Sequence, residues 1–87
     1  MKDSRYAAVK AVITTGGIKN FKDVFTIIPI SVVHKDTNIH YATLHRRIHD
    51  VRLLTLENFV KIAALIEIEP EILVSLALAD LPKKKGK

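Results

Sequence analysis

The chain has no cysteine among its 87 residues. That absence excludes disulfides, thiolate metal sites and thiol nucleophiles together, and it fits a reducing compartment, the cytoplasm. Long apolar runs are missing as well. The N-terminal MKDSRYAAVKAVITTGG has no apolar stretch of signal-peptide length, and the most apolar later segment is cut by Glu67, Glu69 and Glu71. Neither secretion nor a membrane span is therefore expected. Glycine is scarce, and its one pair lies in TTGGIKN, which lacks the lysine followed by serine or threonine that ends a phosphate-binding loop. Ser4, Ser31 and Ser75 have no evident histidine and acid to activate them. An enzyme is not expected, no cofactor is implied, and no small-molecule pocket is evident.

What is present is a single domain's worth of chain. Hydrophobic residues make up 48% of it, enough to build a core without covalent staples. Charge is distributed unevenly. Residues 1 to 52 carry nine basic and four acidic side chains, residues 53 to 82 one basic and five acidic, and the tail KKKGK adds four lysines. Without that tail the chain is close to neutral, so the informative feature is a basic first half set against an acidic second half. The domain is expected over 1–82, with 83–87 as a solvated basic tail able to make loose phosphate contacts.

The pattern of apolar residues is helical throughout, with no strand-like alternation and no internal repeat. SRYAAVKAVI places Tyr6, Val9, Val12 and Ile13 at three-and-four spacing ahead of Gly16 and Gly17, a helix and its stop. Asn20 precedes FKDVFTII with Asp23 in the first turn, and Pro29 ends that segment. Thr55 caps LENFVKIAALI, whose Leu56, Phe59, Val60 and Ala63 are expected on one face, and Pro70 opens the last helix. The fold class expected is all-α, a compact bundle of about five to six short helices.

All four histidines fall in HKDTNIHYATLHRRIHD, His34 to Asp50. Two short helices with a sharp turn fit this stretch, with Asn38 as the corner because asparagine tolerates the left-handed conformation. At 100 degrees per residue, Tyr41, Leu44, Ile48 and Val51 share an apolar arc expected to face the protein. Ala42, His45, Arg46 and His49 share a second arc expected to face out. A small residue, a guanidinium able to pair with guanine and two imidazoles are the mixture a DNA-reading helix needs. The same residues raise a metal reading, because His45 and His49 stand at i and i+4. However, arginine follows the first histidine where a zinc protease needs glutamate, Arg46 and Arg47 repel a dication, and no third ligand is evident. No metal is expected. His34, beside Val33, is expected to be a boundary histidine with a hydrogen-bonded ring.

From about Phe21 to Leu81, roughly two thirds of the chain, the sequence resembles the lambda-repressor-like helix-turn-helix domains, and is most similar to the short stand-alone bacterial regulators of that group. SVVHKDTNIHYATLHRRIHD stands as the helix-turn-helix, about 31–49, LTLENFVKIAALIEIEP as the following helix and EPEILVSL as the closing one. The chain departs from the pattern at His34, where alanine is usual, at Asn38, where glycine is usual, and at Arg47, where an apolar residue is usual. The resemblance implies a transcriptional regulator that binds double-stranded DNA with a recognition helix at about 41–49 in the major groove. Tyr41, Ala42, His45 and Arg46 would approach base edges, and Ser31, His49 and Arg52 phosphates. Arg46 is the residue expected to carry most specificity, since a bidentate arginine contact to guanine discriminates by about 1–3 kcal/mol.

One such helix makes too few contacts for tight selection, so two copies on neighbouring half-sites are expected. The last helix, EILVSLALADL, is apolar almost all round. It either fills the core or lends a face to a homodimer through Ile72, Leu73, Leu76 and Leu78. A competing reading keeps the fold but makes the chain a protein-binding module, an antitoxin or adaptor that uses this helix and the acidic second half.

Overall fold

A computed structural model describes residues 3–81; the basic tail expected at 83–87 lies outside the described residues. The described chain is all-helical, with no strand. Its elements are α1 (Arg5–Thr14), α2 (Phe21–Ile27), α3 (Ile30–Thr37), α4 (Tyr41–His49), a 3-10 turn (Val51–Leu53), α5 (Leu56–Ile66) and α6 (Pro70–Ala79). No helix among them is long and apolar enough to cross a membrane.

The helix ends follow from local chemistry. After α1, Gly16 takes φ +81°, a conformation that disfavours a side chain. The Gly17 N–H then bonds to the Val12 carbonyl at 2.8 Å. That approach leaves no room for a side chain, because a Cβ on Gly17 would stand 2.7 Å from Val12 Cγ1. The Asn20 side chain accepts from the Asp23 N–H at 3.1 Å, and the Asp23 carboxylate in turn accepts from the Lys19 N–H at 3.1 Å, so α2 begins with a side-chain cap. Thr55 and Asn58 form a reciprocal capping box at the start of α5. Pro70 occupies the first turn of α6, where its missing N–H costs nothing.

The core is continuous. Phe21 at its centre packs edge-on against Phe25 and Phe59, with ring centroids 5.3 and 5.8 Å apart. Around it Val9, Val24, Ile28, Val33, Leu44, Ile48, Ile62, Ile66 and Leu73 are fully buried. Helix α5 packs against α6, α1 and α3, and α2 against α6, α1 and α4. The expected start of α1 is fastened to α3 by the Tyr6 hydroxyl, which donates to the Asp36 carboxylate at 2.7 Å.

Two expectations about helix faces are corrected. On α5, Phe59 and Ala63 are buried with Ile62 and Ile66, but Leu56 is 77% exposed and Val60 53% exposed. With so many apolar positions in LENFVKIAALI, periodicity alone admits more than one rotation. Three packing partners and the buried Asn58 select this one. On α6, Leu73 is fully buried in the chain's own core and Ala77 nearly so, while Val74 and Leu76 are partly buried. Leu73 therefore cannot belong to a dimer surface. Only Ile72 and Leu78 of the expected set are exposed, and at 100 degrees per residue they flank an outward arc of Glu71, Ser75 and Ala79. The all-round apolar character of α6 is explained mainly by internal burial.

Candidate nucleic-acid interface

The corner between α3 and α4 is held by its own side chains. Asn38 adopts the left-handed conformation, φ 62° and ψ 25°, at the corner between α3 and α4. The buried Thr37 hydroxyl donates to the Val33 carbonyl at 2.8 Å. Across the corner, His34 Nδ1 bonds to the Ile39 carbonyl at 2.9 Å. A carbonyl oxygen only accepts, so Nδ1 of the ring carries the proton. His34 thus acts as a staple across the turn, which gives a histidine at this position a structural reason. Ile39 is partly buried against the core, as the corner geometry requires.

On α4, Leu44 and Ile48 are buried and Ala42, His45, Arg46 and His49 are all exposed. The inward and outward arcs therefore separate as the periodicity implies, with one correction. Tyr41, placed by periodicity on the inward arc, is 43% exposed. It is the first residue of α4, and its ring stands over the end of α3, edge-on to His34 with centroids 5.6 Å apart. From there an aromatic column runs along the outer face. Tyr41 stacks on His45 at 6.0 Å, and His45 stacks on His49 at 4.4 Å. His49 Nδ1 donates back to the His45 carbonyl at 2.9 Å, which leaves Nε2 as the acceptor of the neutral ring. Among the described residues no group of three or more His, Cys, Asp or Glu side chains stands together at metal-binding spacing.

Arg47 does not join the outward arc. Its guanidinium donates to Asn58 Oδ1 at 3.0 Å, and the same oxygen accepts the Thr55 N–H at 3.0 Å. The capping box of α5 is thereby tied to α4. Sequence reasoning missed this role. The signal available was a charged residue at the edge of the inward arc of α4.

The candidate phosphate-facing residues differ in their freedom. Ser31 is exposed in the first turn of α3, whose N-terminus has Pro29 at its cap and no side chain closing it. Arg52 is exposed but already forked onto Asp50, through Nε at 2.9 Å and a terminal nitrogen at 3.1 Å. Those bonds hold the Asp50 carboxyl below its usual range. A recess of about 300 Å³ opens at this end of α4, beside Lys22, His49, Asp50, Arg52 and Asp80. Within it Arg52 pairs with Asp50, and the Asp80 carboxylate accepts the Lys22 backbone N–H at 3.0 Å at the start of α2. Arg46, by contrast, projects from α4 into an exposed face beside two imidazoles and a small residue. No protein-family model matches the chain, nor does any curated protein or solved structure.

Proposed function

We propose that the protein binds double-stranded DNA through α3, its left-handed corner and α4, with α4 in the major groove, as a transcriptional regulator of the lambda-repressor-like helix-turn-helix kind. The observation that carries this reading is the segregation of α4. Ala42, His45, Arg46 and His49 are exposed together on one side, while Leu44 and Ile48 anchor the other side in the core. Ala42 lets the helix backbone approach base edges. Arg46 supplies a planar fork for guanine O6 and N7, and the imidazoles add donors or acceptors. The uncapped N-terminus of α3 with Ser31 offers backbone N–H groups and a hydroxyl to a phosphate. Arg52 reaches a phosphate by exchanging Asp50 for it, so its contribution is smaller than that of a free arginine.

Fluorescence anisotropy of labelled duplexes across a salt series tests this. Binding should weaken with salt in proportion to the phosphates contacted. On a duplex selected from a random pool, Arg46→Ala should lower affinity by about five- to 150-fold, the equivalent of about 1–3 kcal/mol, with a smaller effect on random duplex. Absence of salt-dependent binding, or binding indifferent to Arg46→Ala, overturns the reading. The protein-binding alternative, an antitoxin or adaptor using the last helix, then leads, because Ile72 and Leu78 stand exposed on α6.

A further inference from the structure

We propose that the outward face of α5 is a self-association surface on which two copies of this chain pair antiparallel. Leu56, Val60 and Ala64 are exposed and four residues apart, so they form one apolar ridge along the helix. Leu56 is the most exposed large apolar side chain among the described residues. Ridges of four-residue spacing interdigitate in the commonest class of helix pairing.

Glu57 and Lys61 stand beside that ridge, on one flank, 3.5 Å apart as an i, i+4 pair. Their arrangement selects the occupant. In an isologous pair the two-fold axis reverses the second α5 and keeps equivalent flanks on the same side. With the axis between the levels of residues 57 and 61, Glu57 of each copy faces Lys61 of the other. Two intrachain pairs become one four-charge cluster with no like charges opposed. A flank of balanced charge gives no preference for an acidic or a basic partner, whereas it is complementary to itself. Helix α6 lacks this property, since Glu71 and Ser75 divide its exposed leucine and isoleucine.

This assignment deepens the DNA reading, which needs two copies on two half-sites. The two fail separately, because association is measured without DNA. Sedimentation equilibrium of the full chain over a concentration series should give a monomer–dimer equilibrium. Val60→Glu should abolish the dimer while leaving unchanged the helical circular-dichroism spectrum and the melting temperature measured at concentrations where the wild-type chain is monomeric. Glu57→Lys and Lys61→Glu should each weaken dimerisation by about tenfold, since each replaces two attractive contacts between copies with two repulsive ones. An equimolar mixture of the two variants, one with two lysines on that flank and the other with two glutamates, should associate more tightly than either alone. A purely intrachain role for the pair cannot produce that rescue. The proposal is overturned if the wild-type chain remains monomeric throughout, if the Val60→Glu chain still dimerises, or if mixing brings no gain.

Discussion

Removing the Arg47 guanidinium measures how firmly α4 is held against α5. In Arg47→Ala the lost bond is the one to Asn58 Oδ1 at 3.0 Å. Hydrogen bonds with a charged partner contribute about 1.5–3 kcal/mol. The lower end applies because Asn58 Oδ1 keeps the Thr55 N–H at 3.0 Å and is not orphaned. A loss of about 1.5 kcal/mol lowers the melting temperature of a chain this size by about 6–12 °C. Asn58→Ala removes the acceptor of both bonds from a site only 5% exposed and dismantles half of the capping box, so about 2–3 kcal/mol is expected. The decisive quantity is the double variant. If Arg47 acts through Asn58, the double variant should be little worse than Asn58→Ala alone, giving a coupling of about 1 kcal/mol or more. Thermal and urea unfolding followed by circular dichroism at neutral pH give all four corners of the cycle. Effects that add within about 0.5 kcal/mol would refute the account and leave Arg47 an ordinary surface cation.

Burial, and then the hydrogen bond to Asp36, raise the Tyr6 phenol above its ordinary value near 10. Below that value both states are protonated and the contribution to stability is complete. Above it the unfolded chain releases the proton first, so stability falls as pH rises until the folded phenol also titrates. Tyr6→Phe should cost about 1 kcal/mol at pH 7, and the gap to wild type should narrow above pH 10 in urea titrations; parallel pH profiles would contradict this. Leu73→Ala should cost about 2–5 kcal/mol by opening a core cavity, whereas Leu78→Ala, at a position 61% exposed, should stay within about 1 kcal/mol. Equal costs in thermal melts would mean that the division of α6 into core and surface is wrong.

Much of the fold could be read from short-range chemistry. Asn20, Thr55 and Pro70 start helices through contacts within three residues, Gly16 ends one, and Asn38 turns a corner that demands a left-handed residue. The two arcs of α4 were legible because only Leu44 and Ile48 of that helix are aliphatic side chains large enough to anchor it. What misled was apolar abundance. Leu56 and Val60 were grouped on one face with Phe59 and Ala63, and Leu73 was offered to either core or interface, because hydropathy treats all of them alike. Tyr41 was placed inward because the wheel ignores where a helix begins, and a first-turn ring has no preceding turn of its own helix to pack beneath.

The sequence by itself determined which segments are helical, where they stop, and that His45, Arg46 and His49 share a face, since each depends on residues within a turn or two along the chain. Only the tertiary structure decided that Arg47 turns inward to Asn58, that His34 staples the corner, that Tyr6 reaches Asp36 and that Leu56 and Val60 are left outside. The physical reason is that helical periodicity fixes the angles between residues of one helix but not the rotation of that helix against its neighbours. That rotation is set by volume and hydrogen-bond partners supplied from elsewhere in the chain.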